Sequence, residues 1–435
     1  MPPSVPPSAP PAAPKQTTQT TLFTVLALTV TFSWGTLFYH VAVLMKPMQV
    51  ALGVSAQALA GAFSLCLAVS GIAAVFAGRW LDAHGGRGLM SGAALLAGIG
   101  MALLASAQSL PQVYLAYVCI GAAMAGTLYD PAFTVITQLC GADKAAARRA
   151  ITWTTVAGGL ASTIFWPLTQ WLETQFGWRV ALYLIAVVFV FIVAPLHAWV
   201  LPSKALLVEP LKTVNTPSSS EVLLQEALWR TFFGPVFILL AIWFAAHAMV
   251  LSGTSVQILN VLQAQGLTAQ LAATLAGCIG IAQVAGRLGE LVSGGKLPVL
   301  KLALVVTLLM PSGMACLYVA NGSVPWIIGF VLCYGIANGV LTIVRGTIIT
   351  YLFGNARYGT LLGALGFIGQ TFKATAPLAA TWVWSAGAPD AGSPNALVMW
   401  GVGLGGVALL CLLGIMACTS NEPPPATAAA PNPTL

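Results

Sequence analysis

Residues 77–90 read AGRWLDAHGGRGLM, and they set two arginines, an aspartate, a histidine and four glycines between two long apolar runs. The runs on either side give the stretch its meaning. Of the chain's 435 residues, 58% are hydrophobic and only 6% are charged. A soluble domain carries about 25% charge. So few charged groups cannot solvate a water-facing surface, which points to lipid as the solvent. Apolar stretches of roughly 20 residues, each long enough to cross a hydrocarbon core, recur along the whole chain. Period-two alternation is missing, which argues against a β-barrel. The charged, glycine-rich stretch therefore reads as a loop at a membrane surface.

Length and hydropathy predict about twelve spans, six within 21–201 and six within 231–418. Between them lies the longest polar segment, 202–230, expected to be a cytoplasmic linker between two six-helix bundles. The proline-rich residues 1–20 cannot form a helix at their start and lack a charged lead into a short apolar run. They read as a disordered tail, as do residues 419–435. Of the 17 Lys and Arg, twelve fall on one alternate set of loops and two, Lys46 and Arg179, on the other. The remaining three, Arg287, Arg345 and Lys373, are set aside as candidates for membrane depth, with a cytoplasmic helix end like that of Arg79 as the alternative for Arg287. Basic loops are cytoplasmic, so both termini are expected there. Compact loops and alanine-rich spans have a bacterial character, which would place the chain in an inner membrane.

The net charge of +7 raises nucleic acid as a partner. The basic residues are scattered over short loops without interleaved aromatics, so that reading fails. The eight cysteines form no CxxC pair or Cys/His cluster, and no metal site or cofactor is expected. They read as small buried hydrophobes. No HExxH, P-loop or Ser/His/Asp set stands out, so an enzyme is not expected.

The two halves echo each other. PQVYLAYVCIGAA from Pro111 aligns with PWIIGFVLCYGIA from Pro325, laying Cys119 on Cys333, Gly121 on Gly335 and Ala123 on Ala337. AGRWLD at 77–82 likewise matches AGRLGE at 285–290. Related six-helix halves are a common way to build an alternating-access transporter.

The opening stretch resembles the signature loop of the major facilitator superfamily, G-x-L-x-D-x-x-G-x-[KR]. Here it offers Gly78, Trp80, Leu81, Asp82, Gly85 and Arg87. The resemblance implies an all-α integral membrane protein with two six-helix bundles around a central cavity. Gly85, Gly86 and Gly88 are expected to supply positive φ for a tight turn. Asp82 is expected to face a helix N-terminus of the other half and Arg87 to reach a carboxylate, contacts made only when the cytoplasmic side is closed. The alternative is that these residues only solvate and orient the loop.

Residues 131–179 resemble the monocarboxylate porter branch of that superfamily. The carriers are Pro131-Ala132, Arg148-Arg149, Gly158-Gly159, Pro167-Leu168 and Phe176 to Arg179. In that branch span eight carries Asp-x-x-x-Arg, whose arginine holds the substrate carboxylate. Here Arg287 keeps the arginine and Gln283 replaces the acid. A guanidinium suits a carboxylate because its planar fork binds both oxygens. The branch also carries a lysine in span one, where this chain has Tyr39-His40 and no lysine. A histidine there either binds an anion or bonds to a neighbouring helix.

Ionisable groups at membrane depth cost at least about 2.5–3.5 kcal/mol each, so each needs a reason. Lys373 is a candidate for the cavity lining. Asp130 in span four and Arg345 in span ten lie near repeat-related positions, and they suggest a pair that forms in one state and separates in another. Proton uptake by Asp130 would weaken that pair. Trp34, Tyr39, Trp166, Trp243 and Tyr334 are candidates for apolar walls.

The leading expectation is a monomeric secondary transporter of a small organic anion such as a monocarboxylate, moved with a proton. An efflux antiporter for drugs or other toxic solutes is the alternative. A non-transporting sensor or scaffold of the same fold is the alternative of another class.

Overall fold

A computed structural model of the protein describes residues 16–140, 143–202, 230–292, 297–353, 358–386 and 394–420. The expected tails and central linker lie largely outside these residues. Helix is the dominant form, and the physical reason is lipid. Without water, backbone N–H and C=O groups must pair within their own segment.

Ten helical segments are long and apolar enough to cross a membrane. One of them, Arg149–Val200, is two crossings folded at Gly177, where φ is 78° and ψ is 160°. Tyr358–Ala386 adds a further helix of 29 residues. Twelve crossings result, matching the expected pair of six-helix sets. The fold at Gly177 explains the Phe-Gly-Trp-Arg run. Gly177 takes the left-handed turn, Trp178 is buried, and Arg179 donates to the Ala107 carbonyl at 2.8 Å. The guanidinium also lies 4.0 Å over the Trp178 ring. All eight cysteines are free thiols.

The sequence repeat is also a packing repeat. A Cβ on Gly121 of span four would stand 2.3 Å from the Cys66 carbonyl oxygen of span two. A Cβ on Gly335 of span ten would stand 2.4 Å from Ala282 of span eight. Each glycine lets two backbones meet at a distance no side chain permits, a device favoured where helices associate in lipid.

The two halves touch through spans five and eight, and through spans two and eleven. Thr163 donates to the Gly277 carbonyl at 2.7 Å, and the Leu378 amide donates to the Ser64 hydroxyl at 3.3 Å.

In the loop between spans two and three, one expectation is corrected. Only Gly85 has positive φ, at 79°, where it ends Ala56–His84 and starts the next helix. Gly86 and Gly88 are helical. Gly86 is needed for space instead, since a Cβ there would stand 2.3 Å from Val135.

Gly121→Ala tests this packing. Overpacking typically costs about 1–3 kcal/mol, so thermal unfolding in detergent should shift down. Gly92→Ala faces no atom within 4 Å. It should be neutral or stabilising by up to about 1 kcal/mol, because alanine is the better helix former.

Candidate functional site

Between the halves lies a cavity of about 300 Å³, lined from spans one, four, five, seven, eight, ten and eleven. Breaks in three helices shape its wall. Span one runs Gln16–Ser33, widens to a π turn at Trp34–Phe38 and resumes as His40–Leu52. Gly35 sits in that turn, where a Cβ would stand 2.0 Å from the Phe165 side chain. π turns of this kind are common at functional sites. The turn and the residue after it bring Trp34, Phe38 and Tyr39 to the cavity.

Span four breaks at Leu128, whose backbone is extended between Leu110–Thr127 and Tyr129–Cys140. Tyr129 reaches the wall, and Asp130 falls in the first turn of the second segment. An acid there is favoured by the helix dipole. Span five breaks at Leu160, just after Gly158 and Gly159. A Cβ on Gly158 would meet the Tyr129 hydroxyl at 2.1 Å, and one on Gly159 would meet an Arg287 nitrogen at 3.0 Å. The glycine pair makes room for both side chains.

Arg287, Gln283, Tyr39, Lys373 and Arg345 all line this one cavity. His40 does not. It is buried in the first half, with Nε2 3.3 Å from the Tyr117 hydroxyl and the two rings stacked. Successive helical residues point about 100° apart, which turns His40 into the bundle while its neighbour Tyr39 faces the cavity. Trp243 is likewise a core residue, donating to Thr307 at 2.8 Å, and His247 meets the Trp243 carbonyl at 2.8 Å. Trp34, Trp166 and Tyr334 do line the wall.

Asp130 and Arg345 are both exposed, and among the described residues no ion pair joins them in this conformation. Lys373 lies within electrostatic range of both. Its ammonium sits 4.8 Å from the ring centres of both Trp34 and Phe38. This cation–π contact crosses from one half to the other and gives a half-buried charge two aromatic faces. Arg287 donates to the Thr155 carbonyl of span five, again across the halves. In the loop, Arg87 donates to the Leu201 carbonyl at the end of span six, within its own half. A Cβ on Gly78 would meet nothing within 4 Å. The Asp82 side chain lies outside what is described.

Buried polar atoms are nearly always hydrogen-bonded. Three that are not, Trp34 Nε1, Ser162 Oγ and Arg287 Nε, belong to residues of this wall. All three can donate. No acidic residue lines the cavity among the described residues, whereas three cations do. The arrangement suits a ligand that is negative and rich in acceptors.

Tyr129, Phe38, Ser162, Asn338 and Gln370 also line the cavity without having been singled out from the sequence. Two carried a signal. Phe38 lies four residues from Trp34 on the same helical face. Tyr129 stands two residues before Pro131 inside an apolar span, and a proline there marks a broken helix.

A bundle of twelve spanning helices with a charged mid-membrane cavity between two halves has the form of a membrane transport protein. The sequence profile of the Major Facilitator Superfamily matches residues 23–377. The chain belongs to that superfamily, and it is a transporter rather than an enzyme. Similar solved structures include the nucleoside transporter NupG, with TM-score 0.68 at 14% identity, covering 92% of this chain and 100% of that one. A bacterial homologue of the human drug peptide transporters aligns with TM-score 0.70 at 16% identity, covering 92% and 98%. A bacterial homologue of the human lysosomal transporter Spinster, inward-facing and occupied, aligns with TM-score 0.67 at 15% identity, covering 94% and 98%. At these identities the likeness is one of fold. Among curated proteins none matches.

The contact of Lys373 with Phe38 is open to a double-mutant cycle. Thermal unfolding of Lys373→Met, Phe38→Leu and the double variant should give a coupling of about 0.5–2 kcal/mol. Strictly additive shifts would mean that the ring does not hold the charge.

Proposed function

We propose that this transporter moves a small organic anion of the monocarboxylate type across the inner membrane by alternating access, with a proton as the coupling ion. The observation that supports it is the convergence of Arg287, Arg345 and Lys373 on one cavity whose lining holds no acid among the described residues. A cationic site with few bulk waters nearby attracts an anion more strongly than the same charges do in open water. Both termini are assigned to the cytoplasm from the basic loops, and the working unit is taken as a monomer.

Arg287 is assigned the carboxylate. It combines a fork-shaped donor set with a position on the contact between the halves, where Tyr129 faces it and Gln283 faces Tyr39. Gln283 donates a hydrogen bond without adding a negative charge that would compete with the substrate. Proton coupling is assigned to Asp130, since the acid seen in the porter branch is absent at Gln283. In one arrangement of the halves an ionised Asp130 would pair with Arg345, and proton uptake would weaken that pair. Binding of a proton thereby biases an equilibrium between arrangements of the halves.

The glycine-rich loop at Gly78, Asp82, Gly85 and Arg87 is assigned to the cytoplasmic gate. Its Arg87 holds span six in this conformation and is free to exchange that carbonyl for another acceptor when the gate closes.

Purified protein in proteoliposomes should take up labelled lactate, pyruvate or another small carboxylate faster under an inward proton gradient. Arg287→Ala should lower uptake about tenfold to a hundredfold, the range for losing one or two hydrogen bonds to a charged group. Asp130→Asn should abolish stimulation by the gradient while leaving solute exchange at equal pH. Gradient stimulation that persists in Asp130→Asn would refute the coupling role. Transport of amphipathic cations with no uptake of any acid would instead support drug efflux, which the aromatic part of the wall also accommodates.

A further inference from the structure

The cavity has two unlike walls. On one side, rings of the first half form an unbroken chain. Tyr129 meets Trp34 at 5.3 Å between centroids, Trp34 meets Phe38 at 5.3 Å, Phe38 meets Tyr39 at 5.2 Å, and Tyr39 meets Trp166 at 5.1 Å. All five line the cavity. Three of the four contacts are edge-to-face, with planes 69°, 84° and 69° apart. On the other side, the second half presents the three cations with Asn338 and Gln370, set among apolar residues such as Leu251, Ile258 and Leu365.

An aromatic cluster built only for packing is covered by further apolar side chains. This one fronts a void that the three cations also line. Tyr39, Trp34 and Tyr129 are half-buried and border the cavity, with Lys373 already lying over Trp34. A two- or three-carbon acid would use the cations and leave most of about 300 Å³, and most of the ring surface, without contact.

We infer that the cavity selects carboxylic acids with a flat aromatic body, the carboxylate on the cationic second half and the ring against the aromatic chain of the first. This inference rests on the anion reading above and narrows it. A ring edge is positive and a ring face negative, so an aromatic ligand extends the edge-to-face pattern already present in the wall. That geometry is worth about two- to tenfold in affinity beyond what burial alone gives. The ligand would also join the halves, because its two ends contact different bundles. Substrate binding would then act on the same equilibrium as the Lys373 contact with Trp34 and Phe38.

The test is ligand-induced thermal stabilisation of the full-length protein in detergent, titrated with benzoate, indole-3-acetate, cyclohexanecarboxylate, acetate, pyruvate and benzamide. Half-saturation by benzoate and indole-3-acetate should come at least about tenfold below acetate and pyruvate, the scale on which an apolar pocket separates ligands of different size. Cyclohexanecarboxylate should fall between them, and benzamide should not stabilise. In Tyr129→Leu the benzoate-to-acetate ratio should shrink at least about threefold. Tyr39→Leu serves the same purpose should the first variant fail to fold.

Equal half-saturation by acetate and benzoate would overturn the aromatic inference and leave the anion reading standing. Cyclohexanecarboxylate equal to benzoate would do the same, reducing the preference to an apolar one. Stabilisation by benzamide as good as by benzoate, or by no acid at all, would overturn the anion reading itself.

Discussion

A positive charge away from bulk water must find electrons or polar partners, and this protein lines the cavity between its halves with three cations. Much of the rest of the architecture can be read from how they are held. Lys373 is met by the faces of Trp34 and Phe38, and Arg287 by the carbonyl of Thr155. Both contacts run from one six-helix set to the other. Two of the three cavity cations are therefore also ties between the two bodies. A ligand that competes for those charges competes for the ties as well, which joins occupancy to conformation without a separate relay.

Holding side chains in this way requires helices that are not continuous. Span one carries a π turn at the aromatic cluster, span four breaks beside Asp130, and span five breaks beside its glycine pair. Irregular backbone is tolerated at membrane depth only where it is buried in protein or lines a polar space. The three breaks all border the same cavity. Glycine does the complementary work. Gly158 and Gly159 let Tyr129 and Arg287 approach span five, while Gly121 and Gly335 bring neighbouring helices together in the repeated halves. These glycines are needed for close approach. Gly85 and Gly177 are different, being the corners where the chain needs a left-handed turn.

Much of this was legible from composition and spacing alone. Too few charges for a water-facing surface dictated lipid, and lipid dictated helices. The repeat around Gly121 and Gly335 disclosed the two related halves because close helix packing leaves a small-residue signature. Arg287, Arg345 and Lys373 stood out because charge at membrane depth is costly wherever it faces. Direction was harder to read. Tyr39 and His40 are adjacent in a polar-aromatic run, and nothing in the run says which of them turns to the cavity. Trp243 and Trp34 are equally apolar, yet one donates to Thr307 in the core and the other lines the wall.

The sequence by itself determined the solvent, the number of crossings and the duplication, because each follows from a local cost that lipid makes large. Only the tertiary structure decided which of the cations share a cavity, that the aromatic side chains link into a continuous wall, and that Arg87 holds span six instead of a carboxylate. Those facts depend on where helices break and on how far apart separate spans lie. Such distances are set by packing between residues more than a hundred positions apart, as in the contact of Thr163 with Gly277.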